Sequence, residues 1–179
     1  MNDNELISLI ISTVLAQEAV VGITGTPIQQ AFQPTQQGVP TQKSGFLYKI
    51  MDMKVGYPYR SEQWDEDNQT IIHTERQEYE TTFQMSALST QDPKSTTQYT
   101  ASDVCNLFSM ILQSEKTVEA LADQGIGVSK IFDVQNPYFT DDRGRNEANP
   151  SFDFSIIHKR IVISASPVIQ STEIKILTV

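Results

Sequence analysis

The sequence is poor in most of the residues from which active sites are built. It has one cysteine in 179 residues, Cys105, and two histidines, His73 and His158. A single thiol closes no internal disulfide, and two histidines so far apart match no metal motif of known spacing, so a disulfide scaffold and a zinc module are both excluded. Basic residues are also scarce. Thirteen Lys and Arg stand against 22 Asp and Glu, a formal charge of −9, with a pI of about 4.6. Such a balance disfavours general affinity for a phosphate backbone. No run approaches about 18–20 uninterrupted apolar residues, which argues against a membrane span. The apolar stretch near the N-terminus follows acidic rather than basic residues and is broken by Ser8, Ser12 and Thr13, unlike a secretion signal. A cytosolic chain is the expectation.

Motifs of catalysis are equally thin. The Gly-x-x-Gly spacing of GITG has no Walker lysine and follows a helix instead of opening one. No Gly-x-Ser-x-Gly elbow occurs. Clustered carboxylates at Glu62, Asp65, Glu66 and Asp67 surround the only tryptophan, Trp64, and fit a solvated hairpin tip better than an EF-hand loop. Cys105 has no cationic neighbour in sequence and reads as a buried, inert thiol. No catalytic residue, cofactor site or metal site is expected.

What is present is a clear alternation of periods. Leu6, Leu9 or Ile10, Thr13 and Val14 recur at helical spacing behind Asn4 as a candidate N-cap, so a helix is expected near 5–18. Residues 45–60 are rich in aromatic and β-branched side chains and read as a strand. From 70 to 89, Tyr79, Thr81, Phe83, Met85 and Ala87 share one face and Glu78, Glu80, Thr82, Gln84 and Ser86 the other, a second long strand. Thr100 and Asp103 give a helix start, Val104, Phe108, Ile111, Val118 and Ala122 follow its stripe, and Gly125 is placed to end it, so one helix is expected over 102–123. Strands are expected again at 127–135 and 151–165. In the last of these the apolar parity changes near His158, for which a β-bulge or a sheet crossing is the simplest reading.

The expected fold is α+β, a single domain over 1–179: a mainly antiparallel sheet of four or more strands with helices packed on one face. Two segments fall outside this plan. Residues 22–44 carry several Gly and Pro and six glutamines between Gln29 and Gln42, without an apolar face. This reads as an extended arm suited to a neighbouring chain, with Ile28, Gln29, Gln30, Phe32 and Gln33 as its candidate contacts and Phe32 as the anchor. The loop from Asn136 to Pro150 concentrates Asp141, Asp142, Arg143 and Arg145 between two prolines and is a second candidate contact. A C-terminal tail, about 167–179, alternates weakly as an edge strand or arm would.

The runs GITGTPIQQAFQPTQQGVPTQ, YETTFQMSAL, YTASDVCNLFSMILQS and NPYFTDDRGRNEANPSFDF together resemble the neck or tail terminator proteins of tailed bacteriophages, over about residues 15–160. The resemblance implies an α+β subunit of a six-fold ring that ends the tail tube and joins it to the head-side connector, with DNA passing through. It implies a homo-oligomer with tail tube and connector or collar partners, a virion location after assembly in the host cytoplasm, and no enzymatic activity. Another collar or tail-completion protein of the particle is the alternative, and a small binding domain or enzyme is the third. A ring of six such chains would carry a charge of about −54, which would let DNA slide past without sticking. Glu75, Glu78 and Glu80, with the hairpin-tip carboxylates, are the candidates for its negative surface.

Overall fold

The computed structural model describes residues 2–23, 25–31, 43–89, 94–140 and 146–167. Its elements are α1 (Asp3–Gln17), β1 (Ile28–Gln30), β2 (Ser44–Asp65), β3 (Thr70–Leu88), α2 (Ala101–Gln113), α3 (Glu115–Ala122), β4 (Gly127–Ile131), β5 (Tyr138–Thr140), β6 (Asn146–Ala148) and β7 (Ser151–Pro167). The main sheet has the order β1-β2-β3-β7-β4, and β5 and β6 form a separate two-stranded hairpin. All pairings in the main sheet are antiparallel except β1 with β2. The α+β class and the predominantly antiparallel sheet are as the sequence indicates.

Local chemistry sets the element ends. Asn2, not Asn4, caps α1: its side chain accepts from the Glu5 backbone N–H while the Glu5 carboxylate accepts from the Asn2 N–H. Thr100 and Asp103 form the same reciprocal box at the start of α2. The single helix expected over 102–123 is two, because Ser114 leaves the helical region and its hydroxyl accepts from the Thr117 N–H to start α3. Gly125, in the left-handed region at φ 74°, turns the chain out of α3 toward β4.

The core lies between the helices and one end of the sheet. Phe83, Met85 and Ala87 of β3 and Phe152, Phe154 and Ile156 of β7 are buried with Leu6, Ile10 and Val14 of α1 and Val104, Phe108, Ile111 and Leu112 of α2. Each of these β3 residues lies on the core face of the alternation seen in the sequence. Gly45 admits the ring of Phe108; a Cβ there would meet Phe108 Cε2 at 2.8 Å. The helical stretch Asp3–Val21 is long and apolar enough by composition to cross a membrane, which the interrupted-run criterion had missed. Leu6, Ile7, Ile10 and Val14 are nonetheless buried in the protein core.

Beyond the helices, β2, β3 and β7 continue as a three-stranded wing. Residues 50–60 of β2 are all exposed, as are 161–165 of β7. The parity change near His158 is not a bulge: β7 pairs with β3 without a register shift from Ser151 to Pro167. Bulges lie instead in β2, between Lys49 and Met51 and between Val55 and Tyr59, and in β4. The apolar positions of β7 change sides because the helix layer ends there, so inward-facing Phe152, Phe154 and Ile156 give way to Ile157, Ile161 and Ile163 on the opposite face.

The described ends of the expected arm belong to the body. Ile23, Thr26, Ile28 and Ser44 are buried, and Ile28 to Gln30 pair in parallel with Gly45 to Leu47. An extended pairing partner contributes its apolar residue inward, which the glutamine-rich composition concealed. Residues 32–42 lie outside the described residues, as does the tail at 168–179.

Candidate interaction surface

The seam between base and wing is a polar network on the helix-bearing face. Thr81, Asp52 and Ile156 lie in one cross-strand row, Tyr79, Lys54 and His158 in the next, and Gln77 and Arg160 beyond. Side chains directly opposite in a ladder point to the same face, so Asp52, His158 and Arg160 converge with Lys49 beneath the N-terminus of α1. Lys49 Nζ lies 2.8 Å from Asp52 Oδ2 and also bonds Asp3. The Arg160 guanidinium donates to Asp3 Oδ1 at 2.6 Å and Asp52 Oδ2 at 3.3 Å, and sits 4.7 Å from the Tyr79 ring centroid. Two strands and a helix end are thereby tied together.

The proton positions in this network follow from its geometry. Thr81 Oγ1 is 2.6 Å from Asp52 Oδ1 and 2.9 Å from His158 Nε2. A hydroxyl has one proton, and a carboxylate only accepts, so Thr81 donates to Asp52 and accepts from His158 Nε2–H. His158 Nδ1 is then a bare acceptor, and it has no partner. His158 is 2% exposed; its burial, then the Arg160 charge, push its pKa below the ordinary imidazole value. Burial opposes charge on Asp52, but hydrogen bonds from Lys49 and Thr81 and the field of Lys49 and Arg160 together hold its carboxyl below the usual range. The arrangement holds a neutral histidine and stable ions; it presents no nucleophile to solvent.

Cys105 is the inert thiol the sequence suggested. It is buried, its Sγ–H donates to the Pro150 carbonyl at 3.2 Å, and burial pushes its pKa up to about 12. His73 lies on the wing, with Nδ1 3.1 Å from Glu62 Oε1 and Nε2 2.7 Å from Ser166 Oγ. Among the described residues no group of three His, Cys, Asp or Glu is arranged to hold a metal ion. A shallow cleft lined by Gln98, Tyr99, Asp103 and Asn106 gathers no charged groups beyond Asp103, which caps α2.

The two faces of the wing differ. On the helix-bearing side stand Lys54, Arg60, Glu62, Glu75 and His73, largely in cross-strand pairs: Arg60 with Glu75 at 2.8 Å, Glu62 with His73. On the other side the outer strands are apolar, with Met51, Met53, Val55 and Tyr59 on β2 and Ile157, Ile161 and Ile163 on β7, while β3 between them presents Glu80, Glu78, Arg76 and Thr74. Glu78 pairs with Lys159 at 3.3 Å. The carboxylates named as candidates for negative surface are divided between two faces, Glu62 and Glu75 on one and Glu78 and Glu80 on the other. Tyr57, in the β2 bulge, is 98% exposed.

Of the sequence-derived contact residues, Ile28 faces the core at 7% exposure, and Gln29 and Gln30 are half-buried in β1. Phe32, Gln33, Asp141, Asp142, Arg143 and Arg145 lie outside the described residues; the chain on either side of the last four pairs as β5 and β6. The seam residues Asp3, Lys49, Asp52 and Arg160 and the apolar outer strands of the wing were missed. The signal available for the wing was that β7 is apolar in both parities.

Comparison with protein families finds that residues 5–168 match the family described as E217 gateway protein gp29. Comparison with curated proteins finds no match.

Proposed function

The chain belongs to the E217 gateway protein gp29 family, a phage head–tail gateway family, and on that premise we propose that it is the repeating subunit of a ring that joins the head-side connector to the end of the tail tube. The observation that carries this reading beyond family membership is the wing, a sheet exposed on both faces with large apolar residues on its outer strands. A monomer gains nothing from exposing Met51, Met53, Ile161 and Ile163, whereas a subunit surrounded by copies of itself buries them. Six copies, a tail tube protein below and a connector or collar protein above make up the proposed assembly. Segment 32–42, with Phe32 and Gln33, and the charged run Asp141, Asp142, Arg143 and Arg145 are its proposed further contacts. The net charge of −9 suits a conduit that DNA crosses without adhering. No reaction is proposed.

Imaging of virions carrying a tagged chain tests this reading. Tag density in a ring at the junction, and unjoined heads and tails when the gene is interrupted, are the expected results. Particles that join and infect without the chain would overturn it.

A further inference from the structure

We propose that the wings of neighbouring copies join edge to edge, the outer edge of β7 (residues 158–167) pairing with the outer edge of β2 (residues 50–65) of the next copy, so that the ring is closed by a continuous intermolecular sheet. This rests on the ring reading above and names the surfaces that build it.

Among the described residues both edges are open along the wing. β1 covers β2 only at Gly45 to Leu47, and β4 covers β7 only at Phe154 to Ile157, so among the described residues neither strand has an outer partner farther along the wing. An open strand is a template for another chain, and proteins that stay monomeric blunt such edges with bulges, prolines or inward charges. β2 carries several such devices, the bulges between Lys49 and Met51 and around Gly56 and Pro58 and the charges of Asp52, Lys54 and Arg60. β7 carries Lys159 and Arg160 at the start of its free edge, but from Ile161 to Ser166 it has no bulge, proline or charge, and Ile161, Val162 and Ile163 are 53%, 64% and 67% exposed there. It is an edge suited to addition of a strand.

The choice of a second copy as occupant follows from how apolar residues are distributed. An isolated sheet is most apolar on its central strand, but on the face away from the helices this wing is polar at its centre and apolar at both margins. Its rows across β2, β3 and β7 read Met53, Glu80, Ile157, then Val55, Glu78, Lys159, then Tyr59, Arg76, Ile161, then Ser61, Thr74, Ile163, so the margins are apolar except at Lys159 and Ser61. Placing β7 of one copy beside β2 of the next makes neighbours of the two apolar margins and builds one seam of Ile, Met, Val and Tyr side chains.

Charge does not oppose this pairing: residues 158–167 carry no carboxylate, and their Lys159 and Arg160 are paired within the chain with Glu78, Asp3 and Asp52, whereas residues 50–65 carry Asp52, Glu62 and Asp65 with Lys54 and Arg60. Direction is consistent too. β2 and β7 both run antiparallel to β3, so they are parallel to one another, and copies related by rotation about an axis along the strands meet in a parallel junction. Such a contact joins two different surfaces and closes by repetition, which leaves the wing no free edge.

Disulfide trapping in assembled particles tests the inference. Ile161→Cys or Ile163→Cys is combined with Met53→Cys, Val55→Cys or Tyr59→Cys in turn, a set that spans the possible register offsets; buried Cys105 provides no background. One or more pairs should give a ladder of linked chains ending at the full ring on a non-reducing gel, with single substitutions unlinked. Ile163→Lys should leave the isolated chain's melting temperature within a few degrees while reducing its incorporation at least tenfold. Particles that contain the double-cysteine chains but show no linkage for any pair would overturn the edge pairing and leave the ring reading standing. Dimers from Ile163→Cys alone would overturn it in favour of a two-fold contact. Particles without the chain would remove the ring reading and this inference with it.

Discussion

The base and the wing are made of the same three strands, yet different forces hold them. In the base, α1 and α2 cover one face and the strands bury Phe83, Phe152 and Phe154 beneath them. In the wing no helix follows, and the ladder is held by its backbone hydrogen bonds and cross-strand pairs such as Arg60 with Glu75 and Lys159 with Glu78. Cross-strand pairs contribute about 0.2–1 kcal/mol each, against about 1.5–3 kcal/mol for burying one large apolar side chain. Fold stability thus resides in the base, and the wing is an extension carried by it. The difference separates two kinds of alternation: the same period of two buries a core in one half and leaves large apolar side chains exposed in the other.

The sharpest way to break the comparison is to remove core volume. Phe83→Ala opens a space between β3 and the helices and should destabilise the chain by about 3–5 kcal/mol, measured by denaturant unfolding. Ile161→Ala, on the wing, should change stability by less than about 0.5 kcal/mol. Comparable losses at the two sites would mean that the wing is part of the core.

A smaller effect is expected at the seam. Asp52→Ala takes one carboxylate from Lys49, Arg160 and Thr81 together and leaves the Thr81 hydroxyl without its acceptor. The pairs are partly exposed, so solvent weakens them, and a loss of about 1–3 kcal/mol is expected, mainly from the unmade hydrogen bonds. Amide exchange should quicken in the first turn of α1, which Asp3 anchors, and remain slow at Phe83. Unchanged exchange at α1 would show that the seam does not tie helix to sheet.

How much of this was legible in the sequence depends on the range of the interaction. The alternation of Tyr79 to Ala87 reported the buried face of β3 correctly because one residue type recurs wherever one face is covered. The capping box at Thr100 and Asp103 is local and was readable; the equally local Ser114 cap inside a continuous apolar stripe was overlooked because the stripe continues across it. β1 was hidden because a three-residue strand paired in parallel leaves no periodic trace. The parity change in β7 was visible, but its cause was misread, since sequence records where apolar residues stand and not where the helix layer stops. The seam draws Asp3, Asp52 and Arg160 together from distant segments, and no spacing rule announces it.

His158 sharpens the comparison through pH. Its folded pKa lies below the unfolded value of about 6.5, so on acidification the unfolded chain takes up a proton before the folded one does. Its contribution is therefore fully present above about pH 6.5 and is lost as pH falls below that toward the folded pKa. Thermal unfolding between pH 7.5 and 5 should show stability declining, and His158→Gln should flatten the decline. His73→Gln, on the exposed wing, should leave the slope in place. An unchanged slope in the His158 variant would assign the dependence elsewhere.

The smallest effect is expected in the wing's own ion pairs. Arg60 and Glu75 are directly opposite and 2.8 Å apart, but both side chains are well exposed. Water and salt compete for such a pair, so a double-mutant cycle with Arg60→Ala and Glu75→Ala on the isolated chain should return a coupling below about 1 kcal/mol. Raising salt from 0.05 to 0.5 M, concentrations across which screening shortens to a few ångströms, should reduce it further. The same cycle read out on particle incorporation decides what the wing meets. If neighbouring copies flank it, removal of water strengthens the pair, and the coupling in assembly exceeds that in folding and resists salt. Equal couplings with equal salt dependence would mean that this face of the wing stays in solvent after assembly, confining the contact between copies to the strand edges and the apolar face opposite.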